Sequence, residues 1–156
     1  MSIETARDVM TPAFHTLTPE MTISEAVVRF RTATEAEGRK IFGMMVTDSD
    51  GRLAGMLSMY DLLLFIRPKH IEIWGNMEDV DIAGLIQSAC DQARKIRVGD
   101  IMTPEIISVT PETHLLMVLD IMIKKHVRRI PVLEDGKIQG IVYISDLFHH
   151  LCDRLI

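Results

Sequence analysis

The sequence is poor in aromatics: 5% of its 156 residues, with one Trp, two Tyr and five Phe. Aliphatic and thioether side chains must therefore fill the interior, and 11 Met supply the latter. Met adapts to ligands as well as to irregular gaps, and filling a core is its plainer use. Cysteine is nearly absent. Cys90 and Cys152 lack metal-ligand spacing and are too few to staple a secreted scaffold, which fits reduced thiols in a cytoplasmic chain. Positive charge is not in excess either: 17 Lys and Arg against 22 Asp and Glu leave a net −5. That balance argues against a surface built as a whole for nucleic acid or anionic membrane. No apolar run approaches a bilayer crossing, and the opening MSIETARDVM holds no apolar signal core. A Walker-type phosphate loop, a His-x-Glu metal motif and a nucleophile elbow are all missing, so neither catalysis nor a metal site is expected. His149, His150 and Cys152 stand close together, but a helix would turn them in different directions, as exposed or half-packed residues.

What is present is an ordinary globular balance, 47% hydrophobic and 25% charged, and a phrase that occurs twice. RDVMTPAFHTLTPE at 7–20 returns as GDIMTPEIISVTPE at 99–112, aligned without a gap. The two copies share Asp8/Asp100, Met10/Met102, Thr11/Thr103, Pro12/Pro104, Thr18/Thr110, Pro19/Pro111 and Glu20/Glu112. A helical stripe follows each: Ile23, Ala26, Val27 and Phe30 in the first, Leu115, Val118, Leu119, Met122 and Val127 in the second. Each half then shows a hairpin, with turns at Asp50-Gly51 and Asp135-Gly136, and closes on an amphipathic helix, YDLLLFI or SDLFHHLCDRLI. The order is strand, helix, hairpin, helix. A unit of about sixty residues cannot bury the apolar surface of such a sheet alone, so doubling gives that surface a partner. The expected division is 1–66, a connector at 67–97, and 98–156. Pro68 and Gly75 mark irregular chain in the connector. From about Asp81 a stripe of Ile82, Leu85, Ile86, Ala89, Ala93 and Ile96 predicts a helix leading into the second half. The first half carries six extra residues between Pro19 and Val46, around TATEAEGRK, read as an exposed loop or a helix extension.

DVMTP and DIMTP, the paired TPE, RIPVLEDGKIQG, and the closing GMLSMYDLL and GIVYISDLF together resemble a tandem pair of cystathionine-β-synthase (CBS) domains, a Bateman module. The resemblance covers nearly the whole chain outside 67–97. It implies an α/β (α+β) fold of two pseudo-twofold-related units, each a small three-stranded sheet with helices on one face. It also implies two clefts that take adenosine-containing ligands such as AMP, ADP, ATP or S-adenosylmethionine, with no cofactor required beyond that regulatory ligand. Occupancy would be relayed to a separate effector protein, and two modules would pair through their helices as a homodimer.

The site residues follow from the same resemblance. Ser58 and Asp61 match a Ser/Thr-x-x-Asp signature at the last strand-to-helix junction. A carboxylate can accept from both hydroxyls of a ribose, and a hydroxyl can donate to a phosphate that the helix N-terminus also favours. The same tetrapeptide also reads as a helix cap. Arg128 and Arg129 occupy the phosphate-reaching positions before a strand, where guanidinium forks suit phosphate oxygens. Adjacent strand-entry residues face opposite sides, so at least one would point into a cleft. Lys124, Lys125 and His126 read instead as a solvated helix end complementing the helix dipole. The preferred cleft gathers Met56, Ser58 and Asp61 with Ile107, Arg128 and Arg129. A second, weaker one holds His15, Tyr143 and Asp146 and lacks matching arginines; there Tyr143 stands where Ser58 does, a phenol that can hydrogen-bond or stack on a base yet is bulky enough to fill the space. Two rival readings remain. One is a ligand-free module that dimerises or docks a partner. The other is a nucleic-acid binder built on KKHVRR, which is short, lacks interleaved aromatics and sits in an acidic chain.

Overall fold

The computed structural model describes residues 4–67 and 82–156. Pro68 and Gly75, read as irregular chain, lie outside the described residues, as do Asp81 and the side chain of Ile82. In chain order the elements are α1 (Ala6–Val9), β1 (Thr16–Leu17), α2 (Ile23–Glu37), β2 (Gly43–Thr47), β3 (Leu53–Ser58), α3 (Met59–Ile66), α4 (Ile82–Ala93), α5 (Val98–Ile101), α6 (Leu115–Lys125), β4 (Arg129–Glu134), β5 (Lys137–Tyr143) and α7 (Ile144–Cys152). They fall into two compact units. One comprises His15–Asp48 and Ala54–Pro104; the other comprises Met1–Phe14, Ser49–Leu53 and Glu105–Ile156.

In the first unit, α2 starts at Thr22, whose hydroxyl accepts from the Glu25 amide at 3.2 Å. It stops at Gly38, which adopts a left-handed φ of 67° that side-chain-bearing residues resist. At 15 residues it is longer than the 11-residue α6, so the six-residue insertion is in good part a helix extension. The sheet order is β1-β2-β3, with β1 parallel to β2 through Thr16↔Met45 and Leu17↔Val46. Leu17, Ile23, Ala26, Val46, Leu57 and Val98 are buried together. Each large aliphatic side chain so buried contributes about 1.5–3 kcal/mol. The connector stripe is less buried than its spacing predicts: Ala93 is buried, while Leu85 and Ile86 on α4 are exposed.

In the second unit, β4 and β5 pair antiparallel from Arg129↔Tyr143 to Glu134↔Lys137, with a register shift at Val132/Leu133. The two-residue turn Asp135-Gly136 takes φ of 54° and 80°, the primed geometry that matches strand twist. A third strand is reduced to Val109, which bridges Val132 in parallel. Val118, Met122, Ile130, Val132, Val142 and Leu147 form the core, joined by Ala6 and Val9 from the N-terminal segment.

That last pair shows what the repeated phrase does. The α1 amides of Ala6 and Arg7 donate to Thr113 O and Pro111 O, at 2.9 and 3.0 Å. The α5 amides of Val98 and Gly99 donate to Met21 O and Pro19 O, at 2.8 and 2.9 Å. The leading segment of each copy thus docks on the TPE turn of the other copy. Asp8 and Asp100 fix the start of each short helix by accepting from the amides of Thr5 (2.9 Å) and Arg97 (3.3 Å). Thr11 then pairs with Ile141 on β5, and Thr103 with Met56 on β3.

Candidate functional site

The β3–α3 junction carries Met56, Ser58 and Asp61. Met56 is pinned by a reciprocal pair of 2.9 Å backbone bonds with Thr103. Beside it Gly55 lets that strand approach, since a Cβ there would stand 2.7 Å from Thr103 O. Ser58 and Asp61 form a reciprocal capping box. The Asp61 amide donates to Ser58 Oγ at 3.0 Å, and the Ser58 amide donates to Asp61 Oδ2 at 2.9 Å. The two sequence readings of this tetrapeptide are compatible, because the cap uses only part of each side chain. Asp61 Oδ1 and the hydroxyl hydrogen of Ser58 make no bond among the described residues. Both side chains are half-buried, and the cap fixes their direction at the N-terminus of α3.

Ile107, Arg128, Arg129, Tyr143 and Asp146 all fall in the other unit. Arg129 is half-buried and Arg128 exposed, the alternation that strand geometry predicts. Arg129 sits opposite Tyr143 in the hairpin register, and Arg128 O accepts from the Ile144 amide at 2.9 Å. Burial pulls the Arg129 guanidinium below its usual value, the neighbouring Arg128 charge adds to this, and Tyr143 opposes it. Ile107 stands two residues before Val109, which bridges Val132 on β4 in parallel. Asp146, in the first turn of α7, accepts from Thr11 Oγ1 at 3.2 Å. The arginines therefore share a unit with Tyr143 and Asp146, whereas Met56, Ser58 and Asp61 belong to the other.

His15 lies in the unit of Ser58, one residue before β1, and its Nδ1 is 3.0 Å from Glu37 Oε2 at the end of α2. The sequence gives little hint of this pairing, because Glu37 arrives only through the helix extension. Also unforeseen is an apolar groove of about 400 Å³ lined by Val27, Phe30, Ile41, Met59 and Leu62 together with Arg31. Lys124, on the basic end of α6, pairs with Asp120 at 3.0 Å. Among the described residues no group of three or more His, Cys, Asp or Glu could hold a metal ion, and no helix is long and apolar enough to cross a membrane.

The family model described as CBS domain matches this chain twice, over residues 6–68 and 98–153. The chain belongs to the CBS domain family. It carries the domain as a tandem pair, with the mixed α/β fold of that family. The chain is 32% identical over 138 residues to the CBS domain-containing protein CBSX1, chloroplastic, of Arabidopsis thaliana, covering 82% of this chain and 55% of that protein. CBSX3, mitochondrial, from the same plant is 39% identical over 82 residues, 45% of this chain and 39% of that protein. The chain thus spans only part of the length of these relatives. Among solved structures, CBSX2 in complex with AMP has a TM-score of 0.70 at 24% identity, covering 98% of this chain and 99% of that one. The cytosolic domain of the Mg2+ channel MgtE in complex with ATP has a TM-score of 0.69 at 26% identity, covering 95% and 49%.

Proposed function

We propose that this CBS pair is a non-catalytic regulatory module that binds an adenosine-containing ligand, of the AMP, ADP, ATP or S-adenosylmethionine class, and relays occupancy to a separate partner protein. The observation that carries the reading is the cap at Ser58 and Asp61, which orients one unused carboxylate oxygen and one unused hydroxyl proton at a helix N-terminus. The carboxylate suits a ribose diol and the hydroxyl suits a phosphate. The AMP and ATP held by the CBSX2 and MgtE structures support the ligand class. In this reading Met56, Ser58 and Asp61 are the candidate ligand contacts of one unit, and Ile107, Arg128 and Arg129, whose guanidinium forks suit phosphate, are those of the other. Weaker candidates are Tyr143 and Asp146 in the unit of the arginines and His15 in the unit of Ser58. Residues 1–66 and 98–156 act as the repeated units joined by 67–97, in the cytoplasm.

Mass spectrometry of small molecules released from the purified protein identifies the ligand, and calorimetric titration with AMP, ATP and S-adenosylmethionine measures it. Asp61→Ala should abolish binding while the fold survives. Joint replacement of Arg128 and Arg129 by Ala should weaken ATP far more than adenosine. Equal affinity of parent and Asp61→Ala would overturn the assignment.

A second reading, pairing of two copies through their helices, is favoured by apolar side chains left in the open. Tyr60 on α3 is 70% exposed and Leu116 on α6 is 79% exposed, with Leu63, Phe65, Met117 and Phe148 also uncovered. Sedimentation of the parent should give a dimer that Leu63→Lys dissociates; a monomeric parent would end this reading.

A further inference from the structure

Helix α7 presents a polar stripe that neither the core nor the ligand reading fully uses. Asp146, His150 and Arg154 stand four residues apart, so they lie along one side of the helix and the turn continuing it, where the Arg154 amide donates to Leu151 O at 3.0 Å. All three meet the same stretch of chain. Thr11 Oγ1 donates to Asp146 Oδ2 at 3.2 Å. Glu4 is held at the other end: Arg154 Nη2 and Nη1 donate to its Oε1 and Oε2 at 2.6 and 2.9 Å, a two-pronged contact. His150 Nε2 lies 3.0 Å from Glu4 Oε1, and since a carboxylate only accepts, the ring nitrogen donates. Single exposed ion pairs count for little, but a forked Arg–carboxylate contact reinforced by a third group is the geometry in which they matter. Between these two anchors the segment is threaded by backbone bonds, the Leu115 amide to Glu4 O at 3.0 Å and the Thr11 amide to Ile141 O at 2.8 Å. It also buries Ala6 and Val9.

We propose that residues 4–11 form a strap buckled to α7 at both ends, and that the outer buckle of Glu4 with His150 and Arg154 sets the hold of Thr11 on Asp146. The strap is short and its two ends bear on α7 and the turn that continues it, so loosening one end lowers the cost of opening the other. This gives the N-terminal segment a part in the relay, a step that rests on the adenosine-ligand reading. A ribose approaching Asp146 competes with Thr11 for the carboxylate, and by reciprocity of coupled equilibria whatever loosens the strap changes affinity there.

The test compares amide hydrogen exchange by NMR in the full chain, without nucleotide, for the parent, Glu4→Ala and Arg154→Ala. Exchange at Ala6, Arg7 and Thr11 should accelerate about tenfold in both variants, as expected for a local opening, while Ile130, Val132 and Val142 keep their rates. Unchanged rates at Thr11, or equal acceleration throughout β4 and β5, would overturn the strap. Calorimetry with AMP supplies the second arm, in which an altered AMP affinity in Glu4→Ala supports the relay and an unaltered affinity in a binding-competent protein refutes it. A parent that binds neither AMP nor ATP sinks the ligand reading, and with it the relay, while the exchange result still decides the strap.

Discussion

The β3–α3 and β5–α7 junctions descend from the same repeated sequence and keep an acid at the same place, yet they use it differently. At the first, Ser58 and Asp61 satisfy each other across three residues, a contact that needs nothing beyond one helical turn. At the second, Tyr143 provides no side-chain cap, and Asp146 accepts from Thr11, a residue 135 positions away in sequence. The first acid is held within its own helical turn, and the second takes a contact from a distant segment of the chain. The Ser58–Asp61 contact needs only its own helical turn, whereas the Thr11–Asp146 hydrogen bond is only as firm as the segment that brings Thr11.

The sharpest way to break this comparison is at the two glycines that admit the repeated segments. A Cβ on Gly55 would meet the Thr103 carbonyl at 2.7 Å, a backbone atom that cannot yield without disturbing β3. On Gly140 it would meet Met10 Cγ and Sδ at 2.9 Å and Thr11 O at 3.0 Å, of which the Met side chain can swing away. Gly55→Ala should therefore cost about 2–3 kcal/mol, near the upper end for overpacking, and Gly140→Ala about half as much. Urea midpoints of the two variants measure both. An equal loss would mean that the two docking sites are equally unyielding.

The next effect down concerns the junction side chains. Ser58→Ala removes the cap and should cost about 1 kcal/mol. Thr11→Val removes one hydrogen bond at the other junction and should cost about 0.5–1.5 kcal/mol. The distinction lies in additivity. Combined with Glu4→Ala, the Ser58 change should add as an independent site does, while the Thr11 change should fall short of additivity, because both act on one strap. Additive behaviour in both cycles would erase the difference drawn between the junctions.

Much of this was legible from sequence. The repeat, the stripes of α2 and α6, the primed turn at Asp135-Gly136 and the alternation of Arg128 with Arg129 all follow from local periodicity and turn chemistry, and the family follows from their order. What was not legible has a common cause. Two nearly identical phrases, DVMTP and DIMTP, carry no local information about which TPE turn each will dock on, so their exchange between sequence halves could not be read. For Ser58 and Asp61 the cap and the ligand motif require the same residue types at the same spacing; only coordinates show that the cap leaves Asp61 Oδ1 unused. Apolar spacing likewise says which residues share a face but not whether that face is covered. Leu85 and Ile86 fit the stripe and are exposed nonetheless.

The gentlest perturbation is pH. In the folded chain Glu4 titrates at about 2, held below its ordinary 4.5 chiefly by the Arg154 hydrogen bonds and then by His150. The same contact raises Arg154. A folded value below the unfolded one means that this contribution is fully present above about 4.5 and is lost as the pH falls towards 2. Side-chain carbon NMR should place the Glu4 midpoint near 2 in the parent and move it back towards 4.5 in Arg154→Ala. Because the pair is exposed, high salt should shrink the shift by screening. A parent midpoint near 4.5 would mean that Arg154 and His150 do not hold the carboxylate, and that the outer end of the strap is loose.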